Sequence, residues 1–342
     1  MKRLGIVALL FTFAFVSLGA PAKAQSDCSR AVVFTLPGVT WEMIEDVHAP
    51  GLMSVVAEGA TGSMSVRTIS ARTSYAAGFA TLGAGSRVDA SRFTGAPRYG
   101  SDYDESDEEL FVADVEVAGL SELKADALEA GYDAVPGALA TALGDIPVTA
   151  IGNSDLRDPP PAPAGYGRWA LLAAMDAEGI VDSAATGPSL LKSDSSAAWD
   201  LRTDPQASGE AVDDALGDEC GVTFIDPGDL ARVDERALVV GDDSTGPDVE
   251  DQRAEAIVAA DVLLRRVVDQ LDFERDLLLV VSPTSPWFEE EGHLGIAVVR
   301  GPGFEAGQTL QSASTRRTGI VTLPDVAPTI LEHQGLPAIE SP

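Results

Sequence analysis

The sequence predicts a three-layer α/β/α fold around a mostly parallel central sheet, and three observations predict it. Short apolar runs rich in branched residues alternate with stretches of helical period, the pattern of a parallel sheet covered by helices on both faces. At 342 residues the chain is long for one ordinary domain but natural for one large α/β layer structure with insertions. Four clusters of polar and small residues follow predicted strands or open predicted helices, and open α/β sheets bind ligands beyond the carboxyl ends of their strands.

Taken in order, Lys2 and Arg3 precede an apolar run over 4–18 and the small-residue ending Ala22-Lys23-Ala24. This reads as a secretory signal peptide over 1–24, cut before Gln25. Residues 25–342 are then expected as an exported domain, periplasmic, extracellular or associated with the cell envelope. The run at 4–18 is short for a spanning helix, which needs roughly 20 residues. No later stretch is apolar and long enough, so no transmembrane segment is expected in the mature chain. Strands are predicted at 31–36, 147–151, 222–225, 237–240, 277–281 and 296–299, each a short branched run. Helices are predicted at 52–58, 76–82, 121–130, 137–143, 169–178, 210–216 and 250–271. The last is the clearest, with Ile257, Val258, Val262, Leu263, Val267 and Leu271 recurring near the helical period. Asp325 reads as the N-cap of a final helix, with Pro328 near its first turn. Residues 86–107 are polar and acidic, a surface excursion. Residues 158–163, Asp-Pro-Pro-Pro-Ala-Pro, form a stiff connector that neither a helix interior nor a central strand tolerates. These two features predict one domain with an insertion or hinge around 86–167.

A net charge of −31, with lysine confined to Lys124 and Lys192 beyond the leader, argues against nucleic acid and anionic lipid as partners. The acidic run at 102–109 reads as a solvated loop. Cys28 and Cys220 are the two cysteines. An even count in an exported chain permits one disulfide, here tying the start of the first strand to the strand near Val222. Neither has a Cys or His neighbour at metal-binding spacing.

The polar clusters are Thr35-Leu36-Pro37-Gly38, Arg72-Thr73-Ser74, Asp226-Pro227-Gly228-Asp229, and residues 282–286 with Gly292-His293. The second offers a nucleophile, Thr73 first and Ser74 second. A hydroxyl there sits among the free N–H groups of a helix N-terminus, beside Arg72, a setting that favours an anion. The same hydroxyls also fit a plain helix cap. Gly83-Ala84-Gly85 lacks the frame of a dinucleotide fingerprint, and no G-x-S-x-G elbow is present.

The segments PGVTWEMIE, GLMSVVAEGATGSMSVRT, ARTSYAAGFATLGAG, GHLGIAVVRGPGF and DVAPTILEHQGLP resemble, in that order, the alkaline phosphatase superfamily, which includes sulfatases, nucleotide phosphodiesterases and phosphoglycerol transferases. The resemblance implies an alkaline-phosphatase-like fold and a Thr73 or Ser74 nucleophile. It also implies two divalent metals, zinc or manganese, that activate the nucleophile and neutralise a phosphoryl or sulfuryl group in flight. Carried over residue by residue, the ligand set thins. Pro37 stands for the aspartate after the first strand, and Pro283 and Thr284 for the Asp-His pair. Asp226 or Asp229 stands for the middle-strand acid, with Arg232 in place of its histidine, and His293 for the last histidine. His48 and His333 read as surface residues. The expected function is an exported alkaline-phosphatase-like domain whose metal centre has degenerated and which binds a small anionic ligand or an envelope protein. The alternative is a metal-dependent hydrolase or transferase of phosphate or sulfate esters, drawing ligands from Asp226, Asp229, Asp242, Asp243 and His293.

Overall fold

A computed structural model of the protein describes residues 29–70, 72–90, 93, 110–156, 167–217, 220–240, 249–286 and 294–339. The expected signal peptide, Cys28, the acidic run, the proline connector, Asp242, Asp243 and His293 lie outside those residues. In chain order the strands are β1 (Arg30–Thr35), β2 (Ala60–Ser65), β3 (Val112–Glu116), β4 (Val148–Ile151), β5 (Ile180–Ala185), β6 (Leu191–Ser193), β7 (Leu201–Thr203), β8 (Gly221–Ile225), β9 (Leu277–Val281), β10 (Gly295–Arg300) and β11 (Ile320–Thr322). Nine of them form one sheet in the order β11-β2-β10-β9-β1-β8-β4-β5-β3, and β6 pairs with β7 apart from it. The pairings from β9 through β1, β8 and β4 to β5 are parallel. β10 runs antiparallel between β9 and β2, and β3 is an antiparallel edge.

β1 lies at the centre because every second side chain has an apolar layer to enter. Ala31 and Val33 pack into one core, Val32 and Phe34 into the other. The first core is completed by α3 (Tyr75–Ala84), α4 (Leu120–Ala130), α5 (Ala138–Leu143), α6 (Ala170–Ala174) and α10 (Val326–His333). The second is completed by α1 (Trp41–Asp46), α2 (Pro50–Glu58), α7 (Pro205–Ala215), α8 (Asp229–Val240) and α9 (Val249–Gln270). The result is the three-layer α/β/α architecture that the alternation predicts. α2 lacks a capping side chain of its own. Asp261 of α9 supplies one, accepting from the N–H groups of Gly51 at 3.2 Å and Leu52 at 2.6 Å. A carboxylate at a helix N-terminus is a favourable partner for those orphan donors, so the two helices are locked in register.

Three expectations are corrected and one is refined. Residues 237–240 are the last turn of α8, not a strand: Ala237 faces inward while Leu238 and Val239 are exposed. Four apolar residues are too short a run to separate strand from helix. The helix expected over 169–178 stops at Ala174, because the Asp176 carboxylate accepts from the N–H groups of Glu178 and Ile180 and turns the chain into β5. Asp325 holds the N-cap position of α10, as expected, but its side chain makes no hydrogen bond into that helix. It closes a capping box one turn earlier, accepting from the N–H and hydroxyl of Thr322 at 2.7 and 2.9 Å. His333 is half-buried and not a free surface group. It bonds the Ser29 hydroxyl at 2.8 Å and the Arg30 carbonyl at 3.2 Å, and burial lowers its pKa.

Cys220 presents no free thiol. A Cys28–Cys220 bridge is the pairing to test: alkylation without reduction should label neither cysteine and alkylation after reduction should label both, as read by intact mass. One labelled thiol per chain before reduction would exclude the bridge.

Candidate functional site

β1, β8 and β9 run parallel as neighbours and end side by side, so the residues that follow them meet at one edge of the sheet. After β1 the chain turns through Pro37 and Gly38, and Gly38 donates to the Thr284 carbonyl at 3.0 Å. Gly38 has φ +65°, and a Cβ there would stand 2.3 Å from Nη2 of Arg253. Backbone and space both demand glycine. The guanidinium that crowds it comes from the first turns of α9. Its Nη2 donates to the Pro37 carbonyl at 3.2 Å, and its Nη1 pairs with Asp234 of α8. The other Asp234 oxygen accepts from the Tyr75 phenol at 2.5 Å. Tyr75 opens α3, so one buried network ties α3, α8 and α9 to the loop after β1.

Asp234 is fully buried, and Tyr75 and Arg253 are 3% exposed. Burial raises the Asp234 carboxyl pKa, opposed by Arg253. Burial, followed by the charge of Asp234, raises the Tyr75 phenol well above its usual value. Two more arginines repeat the pattern along the same edge. Arg232 Nη2 bonds Asp229 at 2.7 Å and the Thr203 hydroxyl at 2.6 Å, and its Nη1 donates to the Asn153 carbonyl at 2.8 Å. Arg168 pairs with Asp155 at 3.1 Å beyond the end of β4, where burial raises the Asp155 pKa. Each cation faces a carboxylate, as buried charges must.

Of the sequence-predicted residues, Ser74 adjoins Tyr75 of this network, and Asp226 and Asp229 follow β8. Thr73 is buried, and its hydroxyl donates to the Val66 carbonyl at 2.7 Å and accepts from the Thr68 N–H at 3.1 Å. Ser74 caps α3, accepting from the Ala77 N–H at 3.1 Å. Asp226 is fully buried after β8. It accepts from the Ser154 hydroxyl at 2.8 Å and the Gly228 N–H at 3.3 Å, and burial pushes its pKa up to about 6. Asp229 accepts from Arg232 and the Thr203 N–H. Asp226 and Asp229 thus share an edge while bonding separate partners. Among the described residues, no three His, Cys, Asp or Glu side chains form a group able to hold a metal ion. The loop after β9 is clamped: a Cβ on Gly78 of α3 would lie 2.5 Å from the Pro283 carbonyl, and the buried Thr284 hydroxyl has no hydrogen-bond partner among the described residues. Beside the network, over the start of α3, opens a cleft of about 240 Å³ lined by Arg72, Ser74, Tyr75, Phe93, Trp169 and Glu235.

Sequence reasoning passed over Tyr75, Asp234 and Arg253. A signal was present: Arg253 lies on the apolar stripe of α9 with Ala256, Ile257, Ala260 and Leu264, and a charge on a buried stripe needs a buried counter-charge.

No family model and no curated protein matches the sequence. Solved structures do. The lipoteichoic acid synthase LtaP from Listeria monocytogenes superposes with a TM-score of 0.52 at 8% identity, over 92% of this chain and 74% of that one. The PH0037 protein from Pyrococcus horikoshii gives 0.51 at 12% identity, over 90% and 97%. An inactive murine ectonucleotide pyrophosphatase/phosphodiesterase 5 in complex with AMP gives 0.50 at 9% identity, over 92% and 97%. Likeness at such low identity is a likeness of fold, and with the mixed nine-stranded sheet between its two helical layers it shows that this chain adopts an alkaline-phosphatase-like fold.

Proposed function

We propose that this chain is a metal-free binding module on an alkaline-phosphatase-like scaffold, exported and working in the cell envelope. One observation carries the reading: the Arg253 guanidinium, paired with Asp234 and bonded to the Pro37 carbonyl, fills the edge where the family resemblance expects divalent cations. Among the described residues, the surrounding donors do not fit a two-metal group. Pro37 and Pro283 offer no side-chain ligand, Thr284 is a neutral hydroxyl, and Asp226 and Asp229 already accept hydrogen bonds from Ser154 and Arg232. Zinc and manganese prefer imidazole, thiolate and carboxylate donors held open for them, and a fixed cation among them repels a second.

Elemental mass spectrometry of the full chain, after incubation with zinc, manganese and calcium and then desalting, should find far less than one metal per chain. Stoichiometric zinc or manganese would overturn the reading. The ester-hydrolase alternative draws support from the names of the matched structures, a lipoteichoic acid synthase and a phosphodiesterase. On that alternative Thr73→Ala abolishes turnover of phosphate or sulfate esters with folding intact. On the binding-module reading neither protein turns them over.

A further inference from the structure

The cleft over α3 has a composition that the metal-free reading leaves unexplained. Its aromatic wall is held in place: Trp169 stacks on Tyr75 with ring centroids 5.7 Å apart and planes 21° from parallel, and Phe93 packs so close to Gly119 that a Cβ there would stand 2.6 Å from the ring. Glu235, half-buried at the rim, makes no hydrogen bond or ion pair among the described residues. Its neighbour Asp234 is paired with Arg253, whereas Glu235 has no such partner among the described residues. Burial, then the charge of Asp234, raises its pKa, the signature of a carboxylate lacking a counter-ion. Arg72 and Asp89 also line the cleft but are already engaged in interactions of their own. The Ser74 hydroxyl is committed to the Ala77 N–H.

We propose that this cleft binds a small organic cation, an alkylammonium or quaternary ammonium group, with the Glu235 carboxylate as counter-ion and the Trp169 and Phe93 rings as walls. Aromatic faces attract such cations through their quadrupole, and most strongly where water is displaced. The cleft's 240 Å³ falls below the roughly 300–1,000 Å³ of sites for larger ligands, which sets the occupant's size. The chain's charge of −31 draws cations to it. The proposal rests on the metal-free reading, because divalent metals at the adjoining edge would repel the ligand. It replaces the small anion that Arg72 and the start of α3 suggest from sequence alone.

The test is isothermal titration calorimetry of the full chain, treated with chelator, against tetramethylammonium chloride and choline chloride, with inorganic phosphate as the anionic probe. Saturable binding of both cations is expected. Glu235→Gln should weaken it about tenfold or more, Phe93→Leu about tenfold, and Glu235→Asp should retain most of it. Both residues are partly exposed, and unchanged thermal unfolding would confirm that the variants fold. Absence of saturable cation binding, equal affinity in Glu235→Gln, or tighter binding of phosphate than of either cation would overturn the assignment. The two readings fail separately. Stoichiometric zinc in a chain that still binds choline sinks the metal-free reading, whereas a zinc-free chain that ignores both cations sinks this one.

Discussion

Replacing Arg253 with methionine should lower the unfolding free energy by about 3–5 kcal/mol at pH 7, because it leaves Asp234 as an uncompensated charge in a site with no solvent access. The side chains of the pair are 4% and 0% exposed, so solvent screening does not dilute the effect. Restoring the balance should recover most of the loss. In Arg253→Met with Asp234→Leu, an apolar pair of similar volume replaces an ion pair whose desolvation cost offsets much of its attraction. The single variant should also regain stability in acid. Without Arg253, burial raises the Asp234 pKa further above its unfolded value, and the stability that protonation provides is lost as pH rises through the folded pKa. Urea unfolding of the two variants and the parent at pH 5 and pH 7 checks both statements. A single variant within about 1 kcal/mol of the parent at pH 7 would remove Arg253 from the centre of the site.

That network marks the limit of what the sequence discloses. The layered architecture was legible because burial on both faces writes itself as apolar runs of fixed period: β1, β8, β9 and β10 and the helices α2, α4, α5, α7 and α9 appear near their predicted positions. The last two strands at one end of the sheet were not legible. β3 exposes most of its residues and β5 alternates only weakly, so neither reads as a buried run. At the site, the sequence brought Thr73, Ser74, Asp226 and Asp229 forward by chemistry and resemblance; the fold sets Asp226 and Asp229 after β8 and Ser74 at the start of α3, and bonds Thr73 to the chain after β2. Their partners could not be read, because Arg253 lies 216 residues from the Pro37 carbonyl that it bonds and 19 from Asp234. A paired arginine inside a helix looks in sequence like any surface arginine. It is distinguished only by the phase of the apolar stripe in which it sits.

Asp226→Asn should flatten the pH dependence of stability and make the chain more stable than its parent above neutrality. Burial pushes the folded pKa of Asp226 from 3.8 up to about 6, despite the hydrogen bonds from Ser154 and Gly228. The folded state therefore holds the proton more tightly than the unfolded state. The sign follows: the contribution is fully present below pH 4 and is lost as pH rises through about 6, by about 3 kcal/mol in total at about 1.4 kcal/mol per pKa unit. Asparagine keeps the shape and can still accept from the Ser154 hydroxyl, but it neither ionises nor suffers this loss. With chelator present, the difference between the parent and variant stability curves, measured by urea unfolding from pH 4 to 8, should widen between pH 4 and 6 and level off above. Parallel curves would mean that Asp226 stays ionised throughout, held by a cation that the described side chains do not supply. A saturating divalent metal distinguishes the two situations. If it stabilises the parent by several kcal/mol and leaves Asp226→Asn unmoved, Asp226 is a ligand and the metal-free reading fails. If neither chain responds, the buried carboxylate is a cost the fold bears for holding Ser154 and the turn at Gly228 in place.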